Sequence, residues 1–376
     1  MELLFIMTLF FIFFSYFGYP LSLAIFRLFR KRPVKRDLIF PSVSLIITVY
    51  NEEKRIEEKL RNTLELDYPT ECIQILVASD GSTDRTNSIV SSFHDLGVEL
   101  LELLERKGKE HAQKAAVAVA SGEVIVFTDV AAILPEGSLK TIVSNFADPS
   151  IGCVSGEDRL LVPEGKVSGE NLYVRYEMWL RGLESQVNSL VGVSGSFFAA
   201  RKEVCRDFSV EMQSDFRTVL NCIKLGMRAL NDPLAVGYYK DVSDGRQEFD
   251  RKVRTILRGI TVFFNNTEYL NVFKYGFFSY QYFCHKLLRW LVPVLLILCL
   301  LFNIFLAQRS TFYLLVFIAQ LLFYSVGLTG IRRTDSIKSV VYKIPVYFIV
   351  VNTSILLAWI RFIKGDRIVR WRPSER

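Results

Sequence analysis

Residues 43–53 read VSLIITVYNEE, and the change of character at Tyr50 decides the fold. Val43–Tyr50 is a β-branched, apolar run with turn signals on both sides, the mark of a strand buried on both faces. Glu52–Leu66 follows as a charged amphipathic helix that ends ahead of Tyr68-Pro69. The same alternation continues outward. Ile73–Ser79 (IQILVAS) is a second strand. Asp80-Gly81-Ser82-Thr83-Asp84 is a turn, with Thr83 or Asp84 capping a helix near 85–95. Val98–Leu104 is a third strand, Gly108–Ala120 a helix, Val124–Thr128 a fourth strand and Ile151–Ser155 a fifth. Strands alternating with helices imply an α/β fold: a mostly parallel sheet with helices on both faces and a ligand at the carboxyl ends of the strands.

Three polar groups fall at those ends: Tyr50-Asn51-Glu52, Asp80-Gly81-Ser82 and Asp129. Asp80 alone reads equally well as a turn residue; three acidic strand ends together converge on one cleft. No G-x-G-x-x-G follows the first strand and no G-x-x-x-x-G-K-[ST] occurs, which disfavours dinucleotide and P-loop sites. Carboxylates in place of glycines suit a metal–diphosphate, because Asp oxygens hold a hard divalent cation and the cation neutralises phosphate.

The surrounding composition places this cleft beside a membrane. Of 376 residues 51% are hydrophobic, 30 are Phe, and the mean hydropathy is +0.26, which excludes a disordered chain, a collagen or a coiled-coil rod. The apolar surplus lies at the ends. Residues 3–26 carry no charge and are long enough to cross a bilayer. A signal peptide is the competing reading, but no basic region precedes the run and no small-residue cleavage site follows it. Arg27, Arg30, Lys31, Arg32, Lys35 and Arg36 follow instead and place the next segment in the cytoplasm. Runs at 287–307, 311–330 and 344–360 read as further membrane segments, the first two as a hairpin. Basic residues flank 344–360 on both sides (Arg332, Arg333, Lys338, Lys343; Arg361, Lys364, Arg367, Arg370, Arg372, Arg376), so that run either is interfacial or re-entrant, or spans with a tail that breaks the charge rule. The expected organisation is an anchor at 1–36, a cytoplasmic domain at 37–260, an interfacial segment at 261–286 and a membrane region at 287–376. The net charge of +7 sits beside the apolar segments, which fits anionic lipid better than nucleic acid. Six scattered Cys and three His form no zinc or disulfide pattern.

VSLIITVYNEE at 43–53, ASDGSTDRT at 78–86 and SGEVIVFTD at 121–129 together resemble the family-2 inverting glycosyltransferases, closest to the membrane-embedded group of cellulose, hyaluronan and poly-N-acetylglucosamine synthases. The resemblance covers roughly residues 40–260 and the membrane layout. It implies a GT-A type nucleotide-sugar-binding domain. Tyr50 and Glu52 would lie against a uridine base, and Asp80 would contact uracil or ribose. Asp129 would be the first Asp of the family's D-x-D and would help hold a divalent cation, Mg or Mn, on the diphosphate. Asp215 in Ser214-Asp215-Phe216 would be the general base, and Gly195-Ser196 would lie beside the acceptor. Arg251 and Arg254 take the place of the family's Q-x-x-R-W motif, on the diphosphate or acceptor side.

The sequence departs from the pattern at Ala131, which replaces the second Asp of D-x-D, at Ser214, where an acid is usual, and at Thr255, where a Trp would stack on an acceptor sugar. The last weighs against processive polymerisation more than against transfer. Inverting transfer needs a base for the acceptor hydroxyl and positive charge for the leaving diphosphate. For Asp215 the competing role is a cap of a helix over 216–226. Gln247, Arg251, Arg254 and Arg258 share one helix face, suited to a diphosphate or to an anionic leaflet. The expected function is a membrane glycosyltransferase with its catalytic domain cytoplasmic, moving a sugar from a nucleotide sugar to a growing glycan or to a lipid-linked acceptor. Ala131 keeps a second class open, a non-catalytic binding subunit of an envelope assembly.

Overall fold

The computed structural model describes residues 1–161, 169–208, 210, 212–240, 245–331 and 340–366. The chain divides into two compact units. Among the described residues, one comprises Met1–Phe29, 169–177, 245–331 and 340–366; the other comprises 30–161, 178–208, 210 and 212–240.

The second unit is built on a seven-stranded mixed sheet. Its strands are β1 (Val43–Val49), β2 (Ile73–Asp80), β3 (Val98–Leu103), β4 (Val124–Asp129), β5 (Ile151–Leu161), β6 (Phe197–Arg201) and β7 (Arg228–Lys240). Their order is β3-β2-β1-β4-β6-β5-β7. β1 pairs in parallel with both β2 and β4, so the winding direction reverses between β1 and β4, where such sheets open a crevice at the carboxyl ends. β1 is buried along its whole length, as an unalternating β-branched run demands. The core on one face joins Leu45, Ile47 and Val49 of β1 to Val126 of β4 and to Ile56 and Leu60 of the helix Ile56–Leu64.

The five expected strands are present. Two further ones, β6 and β7, complete the sheet, and β6 runs antiparallel to β4 and β5. In VSGSFFAAR, the residues after Gly195-Ser196 form the buried strand Phe197–Arg201, whose neighbours β4 and β5 supply its pairing partners. The antiparallel return sets residues 193–196 at the carboxyl end of β4, where the Asp129 N–H donates to the Ser196 carbonyl at 3.0 Å.

The other unit holds four helices long and apolar enough to cross a membrane: Glu2–Phe29, Phe277–Leu306, Thr311–Gly330 and Tyr342–Ile363. The first hairpin helix begins ten residues before the expected 287 because a π-helical turn, Phe283–Leu288, carries the 277–282 helix into it without a break. The helix Gly245–Phe264 belongs to this unit as well, burying Val253, Leu257, Ile260 and Phe263. Lys252 lies over the Tyr347 ring, and a Cβ on Gly259 would sit 3.1 Å from Trp290. The basic residues Arg332, Arg333, Lys338, Arg367, Arg370, Arg372 and Arg376, like the Gln247 side chain, lie outside the described residues.

Candidate active site

At the end of β1 the chain turns through Asn51, whose φ of 51° lies in the left-handed region that Asn tolerates better than most residues. Its side-chain oxygen accepts from the Thr83 N–H at 2.8 Å, and its own N–H donates to Ser82 Oγ at 3.1 Å, tying the β1 and β2 ends together. Asp84 closes the same knot by accepting from the N–H groups of Thr86 and Glu53. These hydrogen bonds hold the Asp84 carboxyl below its usual range despite partial burial.

Tyr50, expected against a base, has the Arg106 guanidinium 3.6 Å over its ring. Glu52 is buried and accepts both Arg55 Nε and Nη2, at 2.8 and 2.7 Å. Burial raises its pKa, and Arg55 opposes the shift. Asp80 is buried too. Its oxygens accept from the Lys107 and Gly108 N–H groups at 2.9 and 2.8 Å, which fixes the entry to the helix Lys109–Val119. Gly81 beside it has φ +69° and lies against backbone: a Cβ there would meet the Arg106 nitrogen at 2.8 Å.

The second half of the site gathers around the end of β4. Lys109 Nζ donates to Asp129 Oδ1 at 2.5 Å and to the Gly195 carbonyl at 3.3 Å. The helix Ser214–Lys224 begins beside it; the Val193 N–H donates to the Asp215 carbonyl at 3.1 Å, and Gln213 donates to Asp215 Oδ2 at 3.0 Å. Asp215 stands in the first turn of that helix, two residues earlier than its expected start, and no side chain caps it. A Cβ on Gly195 would lie 2.9 Å from Asp215 Oδ2, so a larger residue there would make this carboxylate shift. Ser194 and Ser196 both donate to Asp158. The structure thus brings Asp129, Gly195, Ser196 and Asp215 together. Arg251 and Arg254 lie in the other compact unit, where Glu248 accepts Arg251 through Nε and Nη2, each at 2.6 Å, and also pairs with Lys252. These partners push the Glu248 carboxyl below its usual range against its burial.

Two lysines, Lys59 and Lys109, are site residues that sequence reasoning left unassigned. Lys59 is fully buried, with Nζ on Thr128 Oγ1 at 3.0 Å and on the Ala132 carbonyl at 2.7 Å, so it clasps the peptide on either side of Asp129-Val130-Ala131. Burial lowers its pKa to about 7. The signal was present: Ile56, Lys59, Leu60 and Thr63 form one stripe at helical spacing, and all four are buried.

A divalent cation fits this donor set poorly. Asp129 is its one carboxylate from the D-x-D position, Ala131 offers no ligand, and an ammonium already sits on Asp129 Oδ1. Asp158 is engaged by two hydroxyls, and no cluster of three His, Cys, Asp or Glu able to hold a metal occurs among the described residues.

A sheet reversing at β1/β4 with acidic residues at the crevice is an open α/β frame for a ligand at the strand ends. Residues 44–208 match the model of Glycosyl transferase family 2. The poly-beta-1,6-N-acetyl-D-glucosamine synthase of Staphylococcus epidermidis is 25% identical over 193 residues, 47% of this chain and 45% of that protein. Glycosyltransferase AglE of Haloferax volcanii is 28% identical over 160 residues, 40% of this chain and 52% of that protein. The chain spans about half the length of the curated relatives it matches. Among solved structures, the mannosyltransferase PcManGT from Pyrobaculum calidifontis, in complex with GDP-Man and Mn2+, superposes with a TM-score of 0.74 at 23% identity, covering 97% of this chain and 99% of that one. The GT-A fold with its flanking apolar helices is therefore shared along nearly the whole chain.

Proposed function

We propose that this protein transfers a sugar from a nucleotide sugar to a glycan or lipid-linked acceptor at the membrane, with inversion and with Asp215 as the general base. The observation that carries the reading is the meeting at Gly195 of a carboxylate and a cation: Asp215 Oδ2 lies against its Cα side and Lys109 Nζ on its carbonyl. Direct displacement at an anomeric carbon needs a base for the acceptor hydroxyl and positive charge for the leaving diphosphate, side by side. Tyr50, Glu52 and Asp80 frame the nucleoside end of the crevice. Asp80 acts through the backbone it holds at Lys107 and Gly108, and Glu52 through Arg55. Ser196, joined to Asp158, lies on the acceptor side.

The relatives support the substrate class. One is named for a poly-N-acetylglucosamine product and the fold neighbour was solved with GDP-Man. A uridine nucleotide follows from the sequence motifs, and parallel assays with UDP- and GDP-sugars read the base directly. The four apolar helices and the basic residues after the first support a membrane protein with the sheet-bearing unit on the cytoplasmic side, where nucleotide sugars are made. Arg251 and Arg254 would serve the acceptor or the lipid face. Purified protein in detergent should release nucleoside diphosphate from a nucleotide sugar when acceptor is supplied. Asp215→Asn should lower the rate by about 100-fold or more, the range for losing a general base. Unchanged release in Asp215→Asn overturns the assignment, and nucleotide binding without turnover on glycan and lipid acceptors alike leaves a binding subunit.

A further inference from the structure

The loop that should carry a metal ion instead carries lysines. Lys109 Nζ is 2.5 Å from Asp129 Oδ1, with side-chain exposures of 13% and 33%, so the pair faces the crevice but is largely enclosed. Lys59 holds both shoulders of the same loop, through Thr128 and Ala132. Ala131 removes the second carboxylate that would bridge to a divalent cation. Aiming is built in as well, since Asp80 accepts the N–H groups of Lys107 and Gly108 and so sets the first residue of the Lys109–Val119 helix.

We infer that the positive charge needed by the nucleotide diphosphate at this site is supplied by the Lys109 ammonium in place of a divalent cation. The inference rests on the proposed function and deepens it. A compact ammonium on a flexible stem is a point charge that can leave Asp129 for a phosphate oxygen without losing its donors. During transfer the anomeric C–O bond to the diphosphate breaks and its electron pair passes to the diphosphate oxygen. The acceptor oxygen forms the new bond, and its proton goes to Asp215. Lys109 keeps its own protons and stabilises the charge that develops on the leaving oxygen. Lys59 is a positioning residue: it touches the loop and not the reacting atoms.

Calorimetric titration of UDP and of GDP into the detergent-purified full chain, in EDTA and in Mn2+, tests this. For the nucleotide that binds, the dissociation constant should differ by less than about 3-fold between the two conditions, and Lys109→Met should weaken binding in EDTA by about 10-fold or more while Lys109→Arg stays close to wild type. Binding that appears only with Mn2+ overturns the inference whatever the variants do. Binding in EDTA that is indifferent to Lys109→Met overturns the role of Lys109. Failure of both nucleotides to bind in either condition overturns the proposed function itself, and the inference with it.

Discussion

Lys59 shows how one residue inverts its sequence reading. In IEEKLRN it looks like one more surface charge, yet it is fully buried beneath Asp129. Tertiary structure overrides polarity here because Nζ finds an hydroxyl and a carbonyl to accept from it, which offsets part of the cost of burial. The residual cost predicts a pH dependence. The ordinary pKa of 10.5 falls to about 7 in the folded protein, so between those values the unfolded chain binds the extra proton and stability rises with pH. Above about 8.5 the buried thiols Cys153, Cys205 and Cys222 act in the opposite sense, because their pKa values are raised by burial and the unfolded chain ionises first. Unfolding followed from pH 7 to pH 8.5 should therefore show wild type gaining about 1–2 kcal/mol relative to Lys59→Met, which carries the same thiols. Parallel profiles for the two proteins over that window would refute the burial cost. Asp80 and Asp129 were legible as strand-end acids. That each already holds a partner was not legible, because Gly108 and Lys109 lie 28 and 20 residues away in sequence.

At the scale of elements, the apolar helices carry a charge cluster that hydropathy alone smooths over. Arg289, in Phe277–Leu306, is buried; its Nη1 donates to Glu177 Oε1 at 2.5 Å, and His285 Nε2 lies 3.6 Å from the same carboxylate. Tyr16, Tyr173 and Tyr176 place their rings within 6.0 Å of the guanidinium. Charges inside such a helix unit persist only when paired. Glu177→Ala should therefore destabilise the unit by about 3–5 kcal/mol by leaving Arg289 uncompensated, and adding Arg289→Met should recover much of that loss. Thermal unfolding in detergent of the single and double variants measures both; a double variant as unstable as the sum of its singles would show that the pair is not coupled. The helix Gly245–Phe264 is the element whose sequence left two roles open. Its guanidinium face includes Arg251, which is paired with Glu248 three residues away, while its apolar face packs within the unit of apolar helices.

At the scale of the whole molecule, segment order and charge bias give a topology. On the proposed topology the sheet-bearing unit would face the cytoplasm, and the four-residue link Ala307–Ser310 between two apolar helices would face the other side. A cysteine at Ser310 should react with a membrane-impermeant maleimide on intact cells, and one at exposed Asp95 should react only after lysis; the reverse pattern would invert the topology. The α/β alternation, the buried β1, the family motifs and the placement of the apolar surplus can all be read along the chain. Each of these is a local property, written in periodicity, β-branching or an uninterrupted apolar run. Tertiary structure alone decided the antiparallel β6 that carries Gly195 and Ser196 to the end of β4, the assignment of Arg251 to the helical unit, and the seating of Lys109 on Asp129. The physical reason is that these features depend on pairing between residues distant in the chain. A strand's partner, an ammonium's counter-ion and the approach of a carboxylate to a glycine exist only once the sheet has closed.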